Sequence, residues 1–231
     1  MRCSSGEGSA RLSAESWQIA QFTVLMALLA TVLTLPFAIG IGWLLARRTF
    51  PGKALLETLV SLPLVLPPVA TGLLLLWLFG RRSPLGQALD AIGIEVVFTW
   101  KAVVIAMMVV SFPLVARSVR SGIEQVDRRY EDLAATLGAT PFRILRTITL
   151  PLASKGIIAG AVLGFSRGLG EFGATIMVAG AIPGQTQTLA VGIYTFVETG
   201  REEAAWGLLL LSAVLAFGAI HLSNRLVEGH T

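Results

Sequence analysis

Long apolar stretches separated by short polar ones dominate the chain, and roughly 20 apolar residues is the length an α-helix needs to cross the hydrocarbon core of a bilayer. Five such windows stand out: 16–46, 58–79, 96–116, 153–182 and 204–224. The first, second and fifth carry no charged side chain, the third carries only Lys101, and the fourth, from Gly156 onward, only Arg167 and Glu171. Trp17, Trp100 and Trp206 sit near window ends, where interfacial anchors are expected. The pattern predicts an all-α integral membrane chain with about five transmembrane helices filling residues 16–225, preceded by a short tail, 1–15. The first window is too long for the core of a signal peptide and lacks a basic start with a nearby small-residue cleavage site, so it is expected to stay in the mature chain.

Composition agrees. Of 231 residues, 54% are hydrophobic and 14% charged, with a mean hydropathy of +0.75, whereas a soluble domain is about a quarter charged. Disordered, fibrous and nucleic-acid-binding classes are excluded. The net charge of +4 and pI near 9.8 would suggest a nucleic-acid partner in a soluble protein, but here basic residues mark cytoplasmic loops. Arg47, Arg48 and Lys53 follow the first window; Arg117, Arg120, Arg128, Arg129, Arg143, Arg146 and Lys155 lie between the third and the fourth; Arg225 follows the fifth. The other side has Arg2, Arg11, Arg81, Arg82, Lys101 and Arg201, diluted by Glu7, Glu15, Asp90, Glu95, Glu198, Glu202 and Glu203. The N-terminus is therefore expected outside and the C-terminus in the cytoplasm. A single cysteine, Cys3, rules out an intrachain disulfide framework and a multi-thiolate metal site. No internal repeat or inverted pair of halves is visible, which speaks against a secondary transporter.

The longest inward connection, 117–150, carries helical periodicity. Ile123, Val126, Tyr130, Leu133 and Leu137 recur at steps of three and four, with Glu124, Gln125, Asp127, Arg128, Arg129, Glu131 and Asp132 on the other face. Gly138 suits a left-handed helix stop, and Thr140-Pro141 offers an N-cap followed by proline at the first helical position. The expectation is helix, sharp turn, second short helix, with Phe142, Ile144 and Leu145 free to face something. Such a hairpin either lies on the membrane surface or acts as a docking lever, joined through Leu150-Pro151 to the fourth span.

Asp132-Leu133-Ala134, three residues, Gly138-Ala139, and then Ile148-Thr149-Leu150-Pro151 in register resemble the EAA loop of ABC importer permeases, with Asp132 in place of glutamate and Leu133 in place of alanine. The resemblance runs from roughly the first span to the last. More narrowly, the segments 49–56, 62–68 and 169–176 look like those of molybdate importer permeases; sulfate and tungstate permeases share the general plan. The resemblance implies a transport subunit of a bacterial inner membrane, two copies of which form the pathway. It further implies two cytoplasmic ATPase subunits that hold ATP and Mg2+ and grip the loops, so that this chain needs no cofactor, and an extracytoplasmic protein that delivers the oxyanion.

Within the spans, Pro63, Pro67 and Pro68 each remove a backbone donor, so the second span cannot be a uniform helix. Carbonyls freed inside a membrane must face protein or water. With Thr71 just beyond, the break suits either a gate or a packed kink. Gly156, Gly160, Gly164 and Gly168 form a stripe that lets another helix approach closely. Arg167 and Glu171 are spaced to pair, which lowers the cost of charge in a bilayer. Arg167 is the one basic residue well inside a span and, with Glu171 and the adjoining Phe172, a candidate for the pathway; holding an interface together explains the pair nearly as well.

Gly168-Leu-Gly170-Glu-Phe-Gly173 spells a dinucleotide fingerprint, but that motif works only between a strand and a helix of a parallel sheet. A phosphate-binding loop is missing, since Lys53 is followed by Ala54. Gly164-Phe-Ser166-Arg-Gly168 spells a nucleophile elbow, so an intramembrane serine hydrolase using Ser166 and His221 is the rival from another class. His221 and His230 supply too few ligands for a metal site.

Overall fold

The computed structural model describes residues 5–228, and every regular element among them is helical. In chain order these are α1 (Ser5–Arg47), α2 (Lys53–Val65), α3 (Pro68–Phe79), α4 (Pro84–Ala91), α5 (Trp100–Glu124), α6 (Arg128–Thr136), α7 (Pro141–Ile144), a π-helical segment (Leu145–Thr149), α8 (Leu150–Leu152), α9 (Ser154–Leu169), α10 (Gly173–Ala179), α11 (Leu189–Glu198) and α12 (Glu202–Glu228). Three stretches are single helices long and apolar enough to cross a membrane: Glu15–Arg47, Trp100–Glu124 and Glu202–His221. Two more candidates are bent pairs, α2 with α3 at 111° and Pro141–Leu152 with α9 at 74°.

The core forms around α5, whose Ala102, Val103, Ala106, Met107, Val110, Val115, Val119 and Ile123 are buried. Small and β-branched side chains let α1, α9 and α10 approach on different sides. Ala27, Ala30 and Ala38 complete the α1 contact and Ala174 and Val178 the α10 contact. The outer surface is apolar too: Leu25, Val32 and Phe37 on α1, Val65, Leu73 and Trp77 on α2 and α3, and Leu210, Val214 and Phe217 on α12 are all exposed. A soluble monomer rarely exposes contiguous apolar patches beyond a few hundred Å2, whereas in lipid this surface carries no penalty. Trp17, Trp100 and Trp206 are all exposed near the first turns of crossing stretches.

Charged side chains collect at two ends. Arg47 pairs with Glu131, and Arg120 with Glu57 and Glu124, at one; Arg81 pairs with Glu95 and Arg201 with Glu15 at the other. In each of these pairs the basic residue and its partner lie at the same end, while the remaining pair among the described residues, Arg167–Glu171, lies inside the fourth window.

Helix ends differ from the apolar windows in three places, and one expected helical face is split between two elements. In the second window the helix starts earlier than 58, at Lys53, and accommodates Pro63, and the break falls at Leu66-Pro67. The helix of the third window begins at Trp100 rather than 96 and runs on past 116 to Glu124. The fourth window, 153–182, is not one helix; α9 ends at Leu169 and the chain resumes as α10 at Gly173. Finally, Ile123 and Val126 do not share a helical face with Tyr130, Leu133 and Leu137. Asp127 accepts a hydrogen bond from the Arg129 N–H at 3.0 Å and starts a new helix there, so the first two residues are buried near the end of α5 and the other three are exposed on α6 and at its C-terminal cap. Cys3, Arg2 and His230 lie outside the described residues.

Candidate functional site

The loop between α5 and α9 is built from strong local signals. The N–H of Gly138 donates to the Ala135 carbonyl and that of Ala139 to the Ala134 carbonyl, both at 3.0 Å, the paired bonds of a Schellman stop. Gly138 takes φ +81, a left-handed conformation that L side chains resist. Thr140 then caps α7, accepting from the Arg143 N–H, with Pro141 at the first helical position. Pro151 has no N–H to donate, and the turn before it widens into the π segment, in which Leu150 N–H donates back to the Leu145 carbonyl. The helix bends by 74° into α9 at Ala153.

On this frame α6 is inside out. Tyr130, Leu133 and Leu137 point away from the chain's own core, Leu137 at 88% exposure and Phe142 beside them at 72%. A groove of about 430 Å3 runs between Tyr130, Leu133, Thr147, Ile148, Pro151 and Leu152. Asp132, the acid at the motif position, is exposed and pairs with nothing among the described residues. The engaged acid is its neighbour Glu131, bonded to Arg47 and to Thr149. Its partners lie 84 and 18 residues away, so no local pattern identified it; the adjacent acids Glu131-Asp132 were the only hint.

The four glycines of α9 face α5 or its neighbours. A Cβ at Gly156 would lie 2.5 Å from the Gly122 Cα, and one at Gly160 3.2 Å from the Val115 carbonyl. One at Gly164 would lie 2.5 Å from a Val115 methyl, and one at Gly168 3.6 Å from the Ala27 Cβ. Backbone therefore rests on backbone near Gly156 and loosens toward Gly168.

Arg167 and Glu171 do pair, at 2.8 Å, but at a helix break rather than within one helix. Glu171 is 1% exposed, and its second oxygen accepts from the Ala174 N–H at 2.8 Å. The carboxylate thereby satisfies an orphan donor at the start of α10 while its other oxygen pairs with Arg167, whose own side chain stays 29% exposed and open to a further anion. Phe172 packs its ring 5.1 Å from that of Tyr194. The two breaks meet: a Cβ at Gly173 would lie 2.8 Å from the Pro68 Cβ, and one at Gly72 2.7 Å from the Ala174 Cα. Pro67 and Pro68 are exposed, whereas Thr71 is buried with its hydroxyl unpartnered, so Thr71 does not face an open surface of this chain.

The rival hydrolase finds no support in the geometry. His221 is exposed and stacked on Phe217, and among the described residues no hydrogen bond joins it to Ser166.

Residues 38–228 match the family described as binding-protein-dependent transport system inner membrane component. The chain is 46% identical to the molybdenum transport system permease protein ModB of Escherichia coli (strain K12) over 219 residues, 94% of this chain and 96% of the relative. It is 37% identical to the sulfate transport system permease protein CysT of Salmonella typhimurium, covering 90% and 78%. Among solved structures, the MetNI methionine ABC transporter in inward-facing conformations shares the fold with a TM-score of 0.72 at 18% identity, covering 98% of this chain and 99% of that one. Sequence over most of the length and architecture over nearly all of it agree, and the chain belongs to the binding-protein-dependent inner-membrane components, the permeases of ABC importers.

Proposed function

We propose that this chain is the permease subunit of a molybdate importer, acting as a homodimer with the pathway between its two copies. Two cytoplasmic ATPase subunits, which bind ATP and Mg2+, seat on the loops, and an extracytoplasmic binding protein delivers the dianion. ATP binding draws the loops together and switches the pathway from inward to outward facing. The N-terminus lies outside and the C-terminus in the cytoplasm. The observation that carries this reading is the row of exposed apolar side chains on α6 and α7, held by capped helix ends and joined through a bent elbow to α9. Relatives named for molybdenum transport support the choice of cargo.

The test is uptake into proteoliposomes. Complex assembled with the ATPase and binding protein should accumulate molybdate only with ATP, and less effectively when sulfate or tungstate replaces it. Uphill accumulation by the isolated chain would overturn the reading, and preferred uptake of sulfate would move the cargo assignment.

A doubly charged ion in a low-dielectric passage needs a positive field, and Arg167 is partly exposed beside the break while its carboxylate partner is buried. Arg167→Ala is expected to lower uptake per assembled complex about tenfold, equivalent to about 1.4 kcal/mol in the barrier, with Arg167→Lys retaining more. Loss of complex on a native gel with normal transport by what remains would instead assign Arg167 to assembly.

A further inference from the structure

At the charged end of the molecule that carries the loop, one carboxylate ties together three elements distant in sequence. Arg47, at the end of α1, donates through Nε to Glu131 of α6, 3.0 Å from Oε2 and 3.2 Å from Oε1. Thr149, closing the π segment, donates its hydroxyl to Glu131 Oε1 at 2.6 Å. A second guanidinium nitrogen of Arg47 donates to the Val126 carbonyl at 2.9 Å, in the short link between α5 and α6. Thr149 is fully buried, and the side chains of Arg47 and Glu131 are only 9% and 16% exposed. By contrast, Arg120 and its partners Glu57 and Glu124 are all 30% exposed or more.

We infer that Glu131 is the positioning residue that locks the loop to the spans, so that a displacement of α6 is passed to α1 and α9 rather than absorbed by the loop. The inference rests on the permease reading and adds to it the group through which the motion passes. An exposed ion pair in water exchanges partners at little cost and transmits little force. A mostly buried pair braced by further hydrogen bonds parts less readily, so its elements move together. Its position suits that task. Thr149 stands four residues before Ala153, where the chain bends into α9, and the Gly122–Gly156 backbone contact holds α5 to α9 just beyond the bend. The lock therefore clamps one side of the elbow and the glycine contact the other. Asp132, one position along, points to the exterior and takes no part.

Glu131→Gln keeps the shape and an acceptor for the Thr149 hydroxyl while removing the charge. In proteoliposomes holding the complete complex, molybdate imported per ATP hydrolysed is expected to fall about tenfold, within the usual range of coupling between sites, while the ATPase subunit stays bound. Amide exchange across 141–152 is expected to quicken by a similar factor, with the centre of α5 unchanged. Exchanging the partners, Arg47→Glu with Glu131→Arg, should recover much of the ratio that Arg47→Glu alone loses, which a contact from Glu131 to the ATPase would not permit. An unchanged ratio in Glu131→Gln, unchanged exchange across 141–152, or loss of the ATPase subunit without rescue by the exchange would each overturn the lock. A parent complex that hydrolyses ATP but imports no oxyanion would instead refute the permease reading, and the exchange rates would still decide the lock.

Discussion

Leucine in place of Gly156 is expected to remove most of the folded chain from detergent extracts, read as loss of the monodisperse peak in size-exclusion chromatography. Overpacking a well-filled interior usually costs about 1–3 kcal/mol, because neighbouring side chains can shift. Here the neighbour is backbone. A Cβ at Gly156 would meet the Gly122 Cα at 2.5 Å, the Gly122 nitrogen at 3.0 Å and the Ser118 carbonyl at 3.1 Å, so α9 and α5 must separate along their contact. The expected cost is at or above the top of that range, about 3 kcal/mol. Gly40 is the control: nothing lies within 4 Å of a Cβ added there, and Gly40→Leu should stay within about 0.5 kcal/mol of the parent. Equal recovery of the two variants would show that the helices can part freely.

Valine at Gly138 should fail in the opposite way. Its Cβ would meet nothing within 4 Å, but φ is +81, and the left-handed conformation costs an L residue about 1–2 kcal/mol. A β-branched side chain resists it further, so the Schellman turn opens and α7 changes direction relative to α6. Nothing in the membrane core depends on that turn. Chain in the membrane, measured by blotting, should equal the parent, while ATP-driven molybdate uptake should drop about tenfold or more. Gly138→Asn, which tolerates the conformation, should keep most of the activity. Undiminished uptake in Gly138→Val would be hard to reconcile with a rigid loop.

These two glycines also mark what could be read from the amino-acid order and what could not. Gly138 with Thr140-Pro141 is a local signal: the stop, the cap and the first helical proline all depend on neighbours within a few residues, and all are where the motif places them. The apolar windows and the proline break at Pro67 were legible for the same reason. Ends and directions were harder. The helix through 116 continues to Glu124 because backbone bonding needs no apolar residues, and the charges there find partners on α2. The break at Gly170 was hidden inside an apolar run, since Glu171 reads as a span residue until its cap on Ala174 is seen. Glu131 was passed over for Asp132 because its value comes from Arg47 and Thr149, which only the tertiary structure brings near. Periodicity showed that α6 has an apolar face but not that the face turns outward.

That outward face has a bearing on how cells make the protein. Tyr130, Leu133, Leu137 and Phe142 are exposed, held by helices with capped ends. A copy that finds no companion stays greasy at that end, prone to clump or to be degraded. On the proposed reading, chain produced in excess of its ATPase partner is therefore expected to aggregate, which light scattering of detergent extracts would detect.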